Sequence, residues 1–338
     1  MFGRSRPVRV HVAGKTDRGR TRDHNEDSFL VADLTRPARL PDEAAGEYDL
    51  GERGALLMVA DGMGGAAAGE LASEMATKNI YEHLATAWRS DRDSTAQRFA
   101  YRMKEAMEAA NAEIHAHAKA HVELRGMGTT ATAAGILGDA LYLTQVGDSR
   151  AYLVRHGAAT QLTRDQSLMQ RLVEAGELTE EEAARSERKN IILQALGPDQ
   201  KVKVDLTRQE LRRGDVLVLC SDGLSGQVNK EEIAHIVTEQ ASLQAACERL
   251  VALANERGGP DNITAVVARF DGDGLRAADE SDEVGHLVYP LIDTETSTEP
   301  VPVYRGSRAP EPARRSRARV AVLVLAAAGL AAYWLLTR

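Results

Sequence analysis

The chain has 338 residues, of which 43% are hydrophobic, enough to bury the core of one large domain or two ordinary ones. Its formal net charge of −8 argues against a general nucleic-acid binder, because such proteins neutralise phosphates with clustered Lys and Arg. Two cysteines are too few for a disulfide framework, so a reducing compartment is indicated.

The first 270 residues alternate short apolar strands with amphipathic helices. In chain order the sequence predicts a strand, two helices, a meander of antiparallel strands, a strand, two helices and a closing strand. Their predicted positions are 55–60, 70–84, 95–121, 130–162, 216–220, 231–239, 243–256 and 263–270. The pattern indicates a mixed class, with antiparallel sheet and helices packed on it.

The composition changes after Phe270. Half of the ten prolines lie between residues 271 and 318, together with many Asp, Glu, Ser and Thr. Such a composition cannot bury a core, so this segment is predicted to be a disordered linker that ends in a cluster of arginines.

Residues 319–338 are predicted to form a transmembrane helix. The stretch from Val320 to Leu336 holds about 17 apolar residues, or roughly 26 Å of helix, at the short end of a membrane span. The preceding arginines and the positive-inside tendency would keep the rest of the chain in the cytoplasm, as a single-pass C-terminal anchor in the cell membrane. An Ala-rich core helix is the alternative, although it should show a polar stripe.

Four aspartates follow or precede predicted strands, each beside glycine or another small residue: Asp61, Asp148, Asp222 and Asp261. Any one alone would be an ordinary turn residue. Carboxylates held repeatedly at the ends of buried strands are the oxygen ligands that magnesium and manganese require. The chain has no comparable set of His and Cys, which disfavours zinc.

These four aspartates, together with Asp27, belong to five motifs that occur in order along the chain. The motifs are Gly19-x-x-Arg22-x-x-Asn25-Glu26-Asp27, Asp61-Gly62-Met63-Gly64-Gly65, Gly147-Asp148-Ser149-Arg150, Ser221-Asp222-Gly223 and Gly259-Pro260-Asp261-Asn262. They resemble the motifs of the metal-dependent protein phosphatases, the type 2C serine/threonine phosphatases, in their bacterial form. The resemblance covers residues 16–270, so 1–270 would be the catalytic domain. Residues 162–165 and 190–197 resemble the family's flap region, and residues 166–197 are predicted to form a mobile flap beside the site.

The resemblance implies an α/β (α+β) sandwich: two stacked antiparallel β-sheets, flanked by helices, with a metal site at one end of the sheets. The cofactor would be manganese or magnesium, as two principal ions and a third, weaker one. Asp61 would bridge the two ions, the Gly62 carbonyl would bind one, and Asp222 and Asp261 would hold the other. Asp27 would act mainly through coordinated water.

The third, weaker ion would be held by Asp148 together with Asp222. The two principal cations would lower the pKa of a shared water, which attacks phosphorus in line. Arg22 would bind the substrate phosphate through a bidentate contact that lysine could not reproduce. Arg22 and Asp61 are therefore the predicted catalytic residues.

Two positions depart from the family pattern. Met63 stands where the eukaryotic branch has a histidine that is taken as the general acid, and methionine cannot donate a proton. A coordinated water is our hypothesis for that step. Gln166 stands in the flap where many relatives carry histidine, so substrate docking is expected to differ.

The implied function is hydrolysis of phosphoserine and phosphothreonine in proteins, at the cytoplasmic face of a membrane, with a membrane serine/threonine kinase as a possible partner. Two alternatives stay open: a membrane-tethered pseudo-phosphatase that binds phosphoproteins, and a metal-dependent phosphatase of small phosphate esters. Residues 62–67 also fit a dinucleotide-binding signature, but the required acidic residue after a second strand is missing, because that region is predicted to be helical.

Overall fold

The computed structural model describes residues 7–36, 38–39 and 46–291. No helix within these ranges is long and apolar enough to cross a membrane. The predicted membrane helix at 319–338 and the linker beyond residue 291 lie outside the described residues.

The elements follow the predicted order. The strands are β1 (Arg9–Asp17), β2 (Asp27–Asp33), β3 (Ala38–Arg39), β4 (Gly46–Asp49), β5 (Ala55–Met63), β6 (Gly128–Thr129), β7 (Ala131–Leu137), β8 (Ala140–Val146), β9 (Arg150–Arg155), β10 (Ala158–Gln161), β11 (Asp205–Glu210), β12 (Val216–Cys220) and β13 (Ile263–Asp271). The α-helices are α1 (Ala66–Ser90), α2 (Ala96–Ala120), α3 (Leu168–Glu174), α4 (Glu180–Arg185), α5 (Asp222–Ser225), α6 (Lys230–Glu239) and α7 (Leu243–Glu256). The predicted strands and helices are confirmed, and α1 extends beyond both predicted ends.

The strands form two antiparallel sheets, which confirms the predicted class. One sheet has the order β10-β9-β12-β13-β1-β4, and the other has the order β11-β8-β7-β5-β2-β3, with β6 paired to the end of β5. The first six residues of β5 are all buried, without the alternation of a half-exposed strand. Such a strand must be covered on both faces, by the opposite sheet and by helices.

Three apolar clusters fill the space between the layers. The cluster between the sheets includes Leu57 and Phe270. A second cluster joins one sheet to α1 and α2 and contains Trp88 and Phe99, whose ring centroids are 5.1 Å apart. A third cluster packs the other sheet against α6 and α7, through residues such as Leu250. The sheets are therefore fixed against each other and against both helical layers.

Residues 272–291, here called the strap, pack on the domain, although the sequence predicted that a disordered linker begins at residue 271. Leu275 is buried in the core between the sheets. Further along, the Arg208 amide donates to the Leu287 carbonyl at 2.9 Å, and the Tyr289 amide donates to the Leu206 carbonyl at 2.9 Å. The domain therefore extends about 20 residues beyond its predicted end. Composition misled the prediction because a few well-placed apolar residues suffice to dock an otherwise polar segment.

An ion pair inside the domain also holds the strap. The Arg212 guanidinium donates to both carboxylate oxygens of Asp282, at 2.9 and 2.8 Å. Only 5% of the Arg212 side chain and 6% of the Asp282 side chain are exposed to solvent. Removal of one member of such a buried pair strongly destabilises the folded protein, because the remaining charge stays buried without its partner.

We expect Asp282→Ala to lower the melting temperature by about 5 °C or more, because the Arg212 guanidinium would keep only its contacts with the Glu210 carboxylate and the Leu211 carbonyl. Thermal unfolding followed by circular dichroism measures this change. The matched control is Asp273→Ala, which breaks a half-exposed pair with Arg213 at 3.5 Å and should change the melting temperature by about 1 °C at most. Equal effects of the two substitutions would show that the strap pair is not a buried anchor.

Candidate active site

The predicted site residues come from both sheets and meet at one end of the sandwich. Asp27 begins β2 and Asp61 lies near the end of β5, whereas Asp222 follows β12 and Asp261 precedes β13. Asp148 lies in the turn between β8 and β9. The five carboxylates are close enough to affect one another's protonation. Burial is the largest cause that raises the pKa of Asp61 well above its usual value, and the charges of the other four carboxylates raise it further.

Asp27 and Asp61 lie directly opposite each other on the adjacent antiparallel strands β2 and β5. Side chains at such positions are close neighbours, and like charges placed there repel. Asp27 is buried, and its Oδ2 accepts hydrogen bonds from the hydroxyls of Ser221 and Thr264, both at 2.7 Å. Burial raises the pKa of Asp27 to about 7, against the lowering effect of these two hydrogen bonds. The carboxylate is thus held in place from the opposite sheet.

The backbone around Asp61 is held by two threonines. The Asp61 carbonyl accepts from the Thr130 amide at 2.8 Å and from the Thr129 hydroxyl at 2.9 Å. The next residue must be glycine, since a Cβ on Gly62 would lie 2.1 Å from the Gly69 carbonyl oxygen and 2.6 Å from that of Glu26. The absence of a side chain lets these three backbone segments approach closely.

The remaining two carboxylates of the interior are also destabilised as anions. Burial and then the charge of Asp261 raise the pKa of Asp222, the first residue of α5. Burial and then the charge of Asp222 raise the pKa of Asp148 to about 7. The Oδ1 atoms of Asp148 and Asp27 are buried and have no hydrogen-bond partner among the described residues. Buried carboxylate oxygens without partners are unfavourable unless a cation or a proton satisfies them.

Arg22 lies at the mouth of the site. Its Nη2 donates to Asp261 Oδ2 at 2.7 Å, while about half of the Arg22 side chain remains exposed. The loop that carries Arg22 is tied down by Asn262, whose side-chain amide donates to the carbonyls of Arg18 and His24 and whose Oδ1 accepts from the Glu26 amide at 2.8 Å. The guanidinium therefore stands on an anchored loop, with donors available to solvent or a ligand.

A cavity of about 770 Å³ opens beside these groups. Arg22, Asp148, Asp222 and Asp261 line one part of it, and residues 167–190 of the flap line another. The flap, residues 166–197, carries α3 and α4. The cavity is thus a cleft between the carboxylate cluster and the flap, large enough for more than a single phosphate group.

The donor set fits hard divalent cations. It consists of carboxylate oxygens, two of them without hydrogen-bond partners. Beside them lies the backbone of Gly62, which packs against two other backbone segments more closely than any residue with a side chain could. Within the described ranges, no set of three or more His, Cys, Asp or Glu side chains is arranged to hold a metal ion by itself. In this arrangement Asp261 is engaged by Arg22 instead.

The sequence missed residues that hold the site together. Ser221 and Thr264 bond Asp27 across separations of 194 and 237 residues, and Asn262 ties down the Arg22 loop. Ser221 and Asn262 lie within motifs already identified, next to predicted metal ligands, so their position was a usable signal. Thr264 had none, since threonine is common in strands. The predicted roles of the metal ligands and of Arg22 stay predictions.

The chain is similar to known proteins in sequence. The family model of protein phosphatase 2C matches residues 40–263. The serine/threonine phosphatase stp of Listeria monocytogenes is 36% identical over 263 residues, which cover 78% of this chain and 96% of that protein.

Two solved structures are also similar. The serine/threonine phosphatase of S. agalactiae has a TM-score of 0.67 and 35% identity, over 77% of this chain and 99% of that one. The catalytic domain of the phosphatase PstP in complex with two manganese ions has a TM-score of 0.62 and 36% identity, over 78% of this chain and 99% of that one.

The raised carboxylate pKa values predict an unusual dependence of stability on pH. Asp27 and Asp148 bind protons more tightly in the folded protein, with pKa values of about 7, than in the unfolded chain, where the pKa is about 4. In the metal-free protein their contribution to the free energy of unfolding therefore falls as the pH rises from about 4 to about 7. Manganese should reverse this loss, because it binds the deprotonated groups.

The measurement is the melting temperature of chelator-treated protein between pH 5.5 and 8, with and without manganese. We expect the metal-free melting temperature to fall by about 5 °C over this range and the manganese-induced increase to be larger at pH 8. Asp148→Asn should show a shallower fall, because an amide does not ionise. A melting temperature that rises with pH in the metal-free protein would contradict the interpretation.

Proposed function

The chain belongs to the protein phosphatase 2C family, and from that membership we propose that it hydrolyses phosphoserine and phosphothreonine with a metal-activated water at a membrane surface. It is a protein serine/threonine phosphatase.

The main support for assigning these residues is that Asp27 and Asp61 lie opposite each other on β2 and β5. Asp222 and Asp261 join them from the ends of β12 and β13 in the other sheet. These groups repel one another in the folded chain, and burial raises the pKa of three of them. Such a cluster is costly for stability and suits the binding of positive charge.

Asp61, Gly62, Asp222 and Asp261, with Asp27, would hold two manganese or magnesium ions, which supply the Lewis acidity that activates water for attack on phosphorus. A manganese-loaded relative supports the number of ions. Asp148 would take part in a third, weaker site with Asp222, which agrees with its partnerless buried Oδ1.

Arg22 would bind the non-bridging oxygens of the phosphate. Its guanidinium is half exposed at the cleft, and its anchored loop reduces the entropy lost when substrate binds. When phosphate binds, the Arg22 Nη2 donor that faces Asp261 would be shared or released. The Asp261 carboxylate would then be available as a metal ligand.

Protonation of the leaving serine or threonine oxygen needs a donor other than Met63, whose thioether carries no proton. Met63 lies at the end of β5 and pairs with Gly128 on β6. We propose that water at the site supplies this proton, as the sequence suggested.

Phosphoproteins are the proposed substrates in preference to small phosphate esters. The cleft continues from the carboxylates to the flap and to the N-terminal end of α6, where Gln227 and Asn229 line it. A small ester would leave most of this surface uncovered, whereas an extended peptide could contact both sides.

The first test is phosphate release from a phosphothreonine peptide, with and without manganese, by the wild type and by Asp222→Asn. We expect manganese-dependent release and a loss of about 100-fold or more in the variant, since one ligand of the site is weakened. The matched control is Asp139→Asn, an exposed residue of the turn between β7 and β8, which should retain wild-type activity.

Hydrolysis of a small ester without turnover of several phosphopeptides would favour the small-ester alternative. Binding of phosphopeptides without release of phosphate, in folded and manganese-loaded protein, would favour a pseudo-phosphatase. Full activity of Asp222→Asn would overturn the assignment of the metal ligands.

We also propose attachment to the cytoplasmic face of the membrane through residues 319–338, with a membrane serine/threonine kinase as a possible partner. The support is the uninterrupted apolar stretch from Val320 to Leu336 and the arginines that precede it. Both lie outside the described residues, and the attachment would place the enzyme near substrates phosphorylated at the same surface.

Membrane fractionation of cells that express the full chain tests the attachment. The full chain should sediment with membranes and resist extraction at high salt, whereas a chain that ends at residue 318 should remain in the supernatant. The shorter chain retains three of the four arginines, Arg314, Arg315 and Arg317, and is therefore the control for electrostatic binding. Recovery of the full chain in the supernatant would contradict the proposal.

A further inference from the structure

Gln166, the first residue of the flap, bonds to two separate parts of the domain. Its side-chain Oε1 accepts a hydrogen bond from the Gly147 amide at 2.9 Å, and its Nε2 donates to Asp205 Oδ2 at 3.0 Å. Nε2 also lies 3.3 Å from the Lys203 carbonyl oxygen. One side chain thus connects the turn after β8 with the start of β11.

The backbone of Gln166 strengthens the same connection. Its amide donates to the Gly147 carbonyl at 2.9 Å, and its carbonyl accepts from the Leu193 amide, in the returning arm of the flap, at 2.7 Å. The Leu168 amide donates to the Ile191 carbonyl at 2.9 Å. The two arms of the flap are therefore paired at their base, and this base is bonded to the turn that contains Asp148.

Both anchors of Gln166 belong to rigid parts of the structure. Gly147 has φ +103°, and a Cβ there would lie 2.6 Å from the Thr130 side chain, so this turn is closely packed. Asp205 begins β11, where it pairs with Gln145 of β8. The position of the flap base therefore follows from the geometry of the sheet.

The chemistry of the two anchors selects the amide. The Gly147 amide can only donate and the Asp205 carboxylate accepts, so the residue between them must offer one acceptor and one donor. Glutamine satisfies both. Glutamate would still accept from Gly147 but would place a second carboxylate against Asp205.

We propose that Gln166 is a positioning residue that fixes the flap over the cleft and thereby sets the affinity for phosphoprotein substrates. The proposal rests on the proposed protein phosphatase function and adds a residue outside the metal site. The flap residues Ser167, Met169 and Lys189 line the cleft, so a displaced base would move the surface that a peptide contacts. A small ester bound near the carboxylates would be affected much less.

The test is an exchange of donor and acceptor between the two positions. Gln166→Glu should lower kcat/KM for a phosphothreonine peptide about tenfold, mainly through a higher KM, and change kcat/KM for p-nitrophenyl phosphate by about twofold at most. Asp205→Asn should stay close to the wild type, since an asparagine oxygen can still accept. The double variant Gln166→Glu/Asp205→Asn restores one donor and one acceptor, and it should recover most of the lost peptide activity.

Hydrogen exchange of residues 168–193, measured by mass spectrometry, reports on flap position without relying on activity. Gln166→Glu should exchange about tenfold faster there, and the double variant should return towards the wild-type rate. A wild type that hydrolyses no phosphopeptide would refute the proposed function, whereas the exchange rates would still test the positioning role. Equal losses for the two substrates, wild-type exchange in Gln166→Glu, or no recovery in a folded double variant would overturn the inference.

Discussion

The opposition of Asp27 and Asp61 across two adjacent strands is the constraint on which the rest of the site depends. Antiparallel pairing places the two carboxylates side by side, and the hydroxyls of Ser221 and Thr264 fix Asp27 from the other sheet. A slip of one residue between β2 and β5 would turn one carboxylate to the opposite face. The apolar clusters that hold the register are thus also what holds the site.

Much of the fold could be predicted because its signals are local. Apolar runs such as 216–220 and helical spacing in 243–256 reflect burial of single elements, and they matched the structure closely. The aspartates were identifiable because they recur beside glycine at strand ends. The sandwich itself came from the resemblance, since periodicity alone does not reveal which sheet a strand joins.

What the sequence could not provide depends on contacts between distant residues. The bonds from Thr264 to Asp27 and from Gln166 to Asp205 exist only after strand register and turn geometry are established. The strap shows the opposite failure. Its polar composition indicated disorder, yet Leu275 and the Arg212–Asp282 pair dock it, because a few contacts decide the outcome in a segment whose average is uninformative.

The flap differs in construction from the remainder of the domain. Its helices are short and capped by their own side chains: the Ser167 hydroxyl accepts from the Gln170 amide, and Thr179 and Glu182 form a capping box. Such local bonds stabilise the two short helices themselves, whereas the end of the flap is fixed to the domain through Leu196, which is buried and pairs with Thr129. The bonds at its base, including those of the Gln166 amide, therefore fix the position of the flap.

The strap also has a consequence for the behaviour of the protein in crowded solution. β11 is the last strand of its sheet, and its outer edge would otherwise present free amides and carbonyls. The pairing of Arg208 and Leu206 with Leu287 and Tyr289 occupies part of that edge. Uncovered edges invite pairing between molecules, so loss of the strap would expose this part of the β11 edge to other copies of the protein.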